Sequence, residues 1–139
     1  MIDLADIAPA FLFLFDKGFV AKASDYRPKE FGNAVLVTAG TLFSIQFKRD
    51  RGQVFVEIGS DAVGWHWLEH VLEFVNSSVT QQQLGEPPNL AVMADLLQLN
   101  WTKVANLFGD QQKILQLQAF AKQKSAALLD RIFFHHKPA

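Results

Sequence analysis

The stretch Thr41–Ser60, TLFSIQFKRDRGQVFVEIGS, alternates apolar and polar residues on both sides of a charged break that contains glycine. Alternation with period 2 is the pattern of a strand buried on one face, so the segment predicts a β-hairpin. With Lys48 opposite Gln53 across the four-residue loop Arg49-Asp50-Arg51-Gly52, Phe47 faces Val54, Ile45 faces Val56 and Phe43 faces Ile58. All six are apolar and share one sheet face. A slip of one residue would set apolar against polar positions, so the pattern favours this register. Gly52 supplies the positive φ that such a loop needs.

The flanking sequence extends the sheet. Phe19–Ala23 reads as a first strand, Ser24–Gly32 as a polar loop and Asn33–Ala39 as a β-rich run. An antiparallel meander of three or four strands between Phe19 and Gly59 is expected. Before it, Asp3–Phe15 has helical spacing, with Ile7, Phe11, Leu14 and Phe15 on one face and Pro9 tolerable only near the first turn. Gly18 is a plausible stop. After Ser60 the period changes to 3.6. Trp67–Val75 predicts a short helix and Asn76–Pro88 a loop. Asn89 caps a long helix to about Phe108 whose stripe is Leu90, Met93, Leu97, Trp101, Val104 and Phe108. Gly109 ends it, Asp110 caps the next, and Gln111–Phe134 completes an αα-hairpin. The expectation is a single α+β domain over residues 1–139, with its helices on one sheet face.

Composition narrows the function classes. Hydrophobic residues make up 50% and charged residues 19%, which suits a chain that buries its own core. Thirteen Phe against one Tyr points to a thick core or an apolar interface, because Phe needs no hydrogen-bond partner. A net charge of −1 without a basic block lacks the electrostatic footprint of a nucleic-acid binder. The absence of cysteine removes disulfides, thiolate metal sites and cysteine nucleophiles, and fits a reducing cytoplasm. The apolar run Ile7–Phe15 follows Asp3 and Asp6 rather than basic residues and holds far fewer than the roughly 20 residues of a bilayer span. It therefore reads as a buried helix, with no integral membrane segment.

Five residues carry the loudest motif. His66-Trp67-Leu68-Glu69-His70 matches HxxEH, the inverted zinc-peptidase signature. Histidines at i and i+4 of a helix can share a zinc with Glu69 beside them as general base. That chemistry needs a distant acidic ligand, and a chain this short offers few acids, so a zinc hydrolase ranks third. His135-His136 near a helix C-terminus have a sufficient reason in the helix dipole. Trp65 and Trp67 bracket His66; at a helix start both cannot face the core, and an exposed one beside charges suits recognition. Arg49, Asp50 and Arg51 form a charged finger, since Arg forks onto carboxylate or phosphate. No GxSxG, phosphate loop or GxGxxG is present, and no cofactor is implied.

The string FGNAVLVTAGTLFSIQFKRDRGQVFVEIGS (Phe31–Ser60), followed by the tryptophans and HWLEH, resembles a group of small uncharacterised bacterial proteins. Its most specific part is Arg49-Asp50-Arg51-Gly52-Gln53. The resemblance implies a protein-binding role of the toxin-neutralising, immunity-protein kind and carries over no active site. Two readings result. The first is a non-enzymatic cytoplasmic protein that binds another protein through Arg49, Asp50, Arg51, Trp65 and Trp67, with a homodimer through Phe-rich surface as one form of it. The alternative is an apolar pocket under the helices for a small molecule or haem, with His66, His70, His135 and His136 as candidate ligands.

Overall fold

A computed structural model describes residues 2–134. The fold is α+β, as the alternating periods require. Three short helical pieces come first: α1 (Leu4–Ile7), a 3-10 turn (Pro9–Phe11) and α2 (Phe13–Asp16). A five-stranded antiparallel meander follows in the order β1-β2-β3-β4-β5. Its strands are β1 (Val20–Arg27), β2 (Asn33–Ala39), β3 (Ser44–Asp50), β4 (Gln53–Ser60) and β5 (Gly64–Trp67). Helices α3 (Leu68–Val75), α4 (Gln81–Leu84), α5 (Leu90–Leu99), α6 (Trp101–Phe108) and α7 (Gln111–Phe134) complete the chain. No helix of the described residues is long and apolar enough to cross a membrane.

Four expectations about elements need correction. The N-terminal segment is not one helix. Asp3 and Asp6 close a capping box on α1, and Pro9, which lacks the N–H, forces a new start at the 3-10 turn. The break rotates the later residues, so Phe13 packs on the core while Phe15 is 45% exposed. β1 runs on to Arg27 through the predicted loop; it pairs with β2 over its length and buries none of its residues, so no burial pattern marks it. A bulge between Ala21 and Ala23, together with Lys22, blunts this free edge against strand addition. The predicted helix from Asn89 to Phe108 is two. Asn100 sits between α5 and α6, buried, and its side-chain amide donates to the Leu96 carbonyl at 2.8 Å. A fifth strand, β5, precedes the expected helix, which begins at Leu68 rather than Trp67, so Trp65 and His66 stand on a strand and not at a helix start.

The hairpin keeps its predicted face but not its register. Asp50 pairs with Gln53, Phe47 with Val56 and Ile45 with Ile58, leaving the two-residue loop Arg51-Gly52. The shift from the expected pairing is two residues, which side-chain alternation cannot detect because it repeats every two. The turn decides. A tight hairpin of the I′ kind needs positive φ at both central positions, and Arg51 has φ 54° and Gly52 φ 81°. On the solvent face, Gln46 therefore meets Glu57 rather than Phe55: the Gln46 amide donates to Glu57 Oε1 at 3.0 Å, and Lys48 Nζ lies 2.8 Å from the same oxygen.

The covered face of the sheet carries Ala34, Leu36, Thr38, Ile45, Phe47, Val56 and Ile58, all buried in one cluster with the helices except Thr38, a buried hydroxyl donating to the Ile45 carbonyl at 2.9 Å. From the helices come Leu68, Val71, Leu72, Met93, Leu97, Val104, Ile114 and Leu117. Part of the phenylalanine surplus lies here. Ring contacts at 5.1–6.1 Å run from Phe47 through Phe11, Phe13, Trp101, Phe19 and Phe43 to Phe108. Each such pair adds about 0.5–1.5 kcal/mol beyond area burial. A thick aromatic core accounts for part of the phenylalanine content, while Phe15 and Phe31 stand exposed.

Candidate functional site

Two loops meet at one end of the sheet. The β1–β2 connection is Pro28–Gly32, and the β3–β4 turn is Arg51-Gly52. Because β2 lies between β1 and β3 in antiparallel order, these tips are neighbours. Side chains then lash them together. Arg49 Nε donates to the Gly32 carbonyl at 2.9 Å, and its guanidinium lies 5.8 Å from the centre of the Tyr26 ring. The Arg51 backbone N–H donates to Asn33 Oδ1 at 2.9 Å, and its guanidinium lies 5.4 Å from the Phe31 ring centre. Arg49 is thus a clamp between hairpins and not part of a free finger. Asp50 and Arg51 remain exposed.

Phe31 is the residue that the sequence reading missed. It is 75% exposed and has φ 59°. A left-handed conformation costs an ordinary L-residue roughly 1–2 kcal/mol, and a bulky side chain rarely adopts it. The turn has Gly32 beside it at φ 69°, where no such cost arises. The Gly32 N–H donates to the Pro28 carbonyl at 3.3 Å and the Asn33 N–H to the Glu30 carbonyl at 3.0 Å, which closes the loop over itself. A large ring is held out in water, in a costly conformation, under an arginine. The available signal was an aromatic directly before a turn glycine.

Beside the tips lies a shallow basin of about 320 Å³, lined by Asp25, Arg27, Glu30, Asn33, Ala34, Val35, Lys48, Arg49 and Asp50. Its charges cancel. Arg27 bridges Asp25 at 3.2 Å and Glu30 at 3.4 Å, and these carboxylates, Asp25 first, raise its pKa. Lys48 is committed to Glu57 and Arg49 to Gly32. The basin is therefore no anion trap.

Trp65 and Trp67 belong elsewhere. They share the solvent face of β5, because i and i+2 of a strand point the same way. The expectation of a split between core and solvent rested on a helix start and is corrected by the strand. Trp65 Nε1 donates to Asp61 Oδ1 at 3.1 Å, while Trp67 is 39% exposed and lies 5.8 Å from Phe55, ring to ring. Trp65 pairs with Gly59, and Gln53 marks the tip, so ~20 Å of strand separates the two places at ~3.4 Å per residue. The five residues predicted for binding do not form one site.

The HxxEH premise is corrected as well. His66 lies in β5 opposite the buried Ile58, before α3 begins, whereas His70 lies within α3. The two are not successive turns of one helix. His66 faces the core, and its Nε2 is buried without a hydrogen-bond partner. Glu73 pairs with Lys124 at 3.1 Å. No group of three or more metal-ligating side chains gathers among the described residues. His135 and His136 lie outside the described residues.

Burial governs how this cluster titrates. Desolvation first of all lowers the pKa of His66 and of His70 from 6.5, and raises that of Glu69 from 4.5. For the histidines the unfolded chain takes up protons first, so their stabilisation is complete above 6.5 and is lost as pH falls below it. For Glu69 the native state takes up the proton first, so stability rises as pH falls toward 4.5. As pH falls from about 7.5 to about 6 the two histidines should lower the urea midpoint, so the wild type should lose more over that range than His66→Gln/His70→Gln. Equal pH dependence in the two proteins would contradict the burial of the histidines.

The chain matches no family model, and no curated protein or solved structure matches it significantly.

Proposed function

We propose that the chain is a protein-recognition module whose contact surface is the pair of hairpin tips. One observation carries this: Phe31, 75% exposed and at φ 59°, is presented under Arg51 on a loop locked from behind by Arg49 and Asn33. Strain of this kind collects where a fold serves something other than its own stability. An aromatic paired with an arginine is the composition of interface hot spots, and a pre-ordered loop lowers the entropy cost of binding. Asp50 and Glu30 flank the pair with negative charge. The complementary partner has an apolar socket for the ring and a carboxylate for Arg51. The resemblance of Phe31–Ser60 to immunity-like bacterial proteins supports the same kind of role, in the cytoplasm, against a different protein. Phe11, Phe19, Phe43, Phe47 and Phe108 pack in the core, whereas Phe15 and Phe31 are exposed.

A photo-crosslinking amino acid at position 31, used in the native cell, tests the reading, with the same group at position 22 on the β1 edge for comparison. Position 31 should capture a discrete protein and position 22 should not. With that protein purified, Arg51→Ala should weaken binding about tenfold, the loss of one desolvated charged contact. Capture from position 22 alone would move the interface to the sheet edge and end the proposal for the tips.

A further inference from the structure

A second concave surface lies among the helices and shares no residue with the tips. Helices α3, α6 and α7 converge around a groove of about 270 Å³. Its floor is apolar: Leu107 is buried, and Phe74 and Val75 are half-buried against the core. The Phe74 ring is steadied by Phe120, with centres 5.4 Å apart. Its rim is basic. Lys103 rises from α6 and Lys113 from the first turn of α7, both exposed. Lys103, Asn106 and Leu107 are spaced i, i+3, i+4, which places them on one helix face toward the groove.

The charges of the rim are not balanced locally. No carboxylate lines the groove. Among the described residues neither lysine has an ion-pair partner, and the nearby Glu73 is taken by Lys124 at 3.1 Å. Asp110, which precedes Lys113 in sequence, is committed to capping α7: its Oδ1 accepts from the Gln112 N–H at 3.0 Å and the Lys113 N–H at 3.3 Å. That cap occupies the helix N–H groups, so Lys103 and Lys113 supply the positive charge that attracts an anion. An apolar floor beneath two unpaired cations is complementary to a molecule with an apolar body and an anionic head.

We infer that this groove binds a small amphipathic carboxylate, its chain or ring over Phe74 and Leu107 and its carboxylate between Lys103 and Lys113. The volume is just below the ~300–1,000 Å³ of sites for drug-sized ligands, which favours a short aliphatic chain or a single ring over a peptide helix. The amide groups of Asn106 and Gln116 stand at the rim as further donors.

Octanoate is a suitable probe, with octylammonium as the cation of equal chain length. In two-dimensional amide NMR, octanoate should shift Val75, Lys103, Leu107 and Lys113 in a saturable one-to-one titration, and octylammonium should leave them in place. Lys103→Gln/Lys113→Gln should weaken octanoate about tenfold or more, the worth of one to two charge-assisted contacts. Both positions are exposed, so the variant should keep the wild-type spectrum elsewhere. Absence of octanoate shifts at these amides, equal binding of octylammonium, or an unchanged affinity in the double variant would each overturn the inference. An acidic amphipathic peptide that displaces octanoate and binds more tightly would overturn it in favour of a protein ligand.

Discussion

Gly59→Ala is expected to lower the unfolding free energy in urea by about 4 kcal/mol or more, a loss reserved for a short list of mechanisms. Gly59 has φ 145° and sits in β4 between Ser44 on one side and Trp65 on the other. A β-carbon there would overlap the Gly64 carbonyl oxygen and come within 3.1 Å of the Gly64 carbonyl carbon and 3.3 Å of Trp65 Cα. Every one of these atoms is backbone, so no side chain can rotate to make room. Relief requires β5 to leave the sheet. β5 leads directly into α3, whose Leu68, Val71 and Leu72 are wholly buried. The clash is thereby transmitted from one methyl group to the centre of the core. Gly52→Ala is the control. Gly52 has φ 81° and nothing within 4 Å of a β-carbon, so only the backbone term of roughly 1–2 kcal/mol applies. Equal losses in the two variants would show that the approach of β5 to Gly59 is looser than described.

The same junction shows what the sequence could and could not reveal. The buried face of the hairpin was legible, because Ile45, Phe47, Val56 and Ile58 alternate strictly and only one side can be covered. The register was not, because a slip of two residues leaves the same residues inside. What separates the alternatives is the positive φ of Arg51, and arginine gives no sign of it. β5 was hidden by its neighbour. Four residues carry too little alternation to stand out beside the strong helical spacing of Leu68, Val71 and Leu72. The apolar stripe from Met93 to Phe108 read as one helix because the stripe is continuous through the break. Asn100, a buried polar residue inside it, leaves helical geometry at φ −106° and ψ 17° and satisfies its side-chain amide on the Leu96 carbonyl.

The candidate site was legible in the same partial way. Charge marked Asp50 and Arg51 as surface, and both are exposed. Charge also marked Arg49, which turns out to be a brace, since its partner Gly32 lies 17 positions away in sequence and no local pattern connects them. The tip owes its order to such distant bonds. Asn33 holds Arg51 in the same fashion, across 18 positions. Phe31 falls within the stretch Ser24–Gly32 read as a polar loop, and it is the positive φ of the turn that shows its ring held out under Arg51.

Phe31→Gly separates stability from recognition at that residue. The glycine should leave the unfolding free energy within about 1 kcal/mol of wild type, because three modest effects oppose one another. Relief of the left-handed φ returns roughly 1–2 kcal/mol. Greater freedom of the unfolded chain removes about 0.4–1 kcal/mol. Loss of the exposed contact with Arg51 removes about 0.5–1 kcal/mol. Affinity for the protein captured at position 31 has no such compensation. A central aromatic anchor is worth about 2 kcal/mol or more, so binding should weaken roughly 30-fold. Phe31→Ala, which keeps the backbone cost and also lacks the ring, should lose similar affinity and be less stable than Phe31→Gly. Calorimetric titration and urea unfolding of the three proteins measure both quantities. A glycine variant that binds within twofold of wild type would remove Phe31 from the interface. One that loses more than about 2 kcal/mol of stability would make the ring a structural element, because a turn residue that is merely exposed cannot cost so much. The combination expected here, stability kept and affinity lost, belongs to a side chain that the fold supports for the sake of a partner.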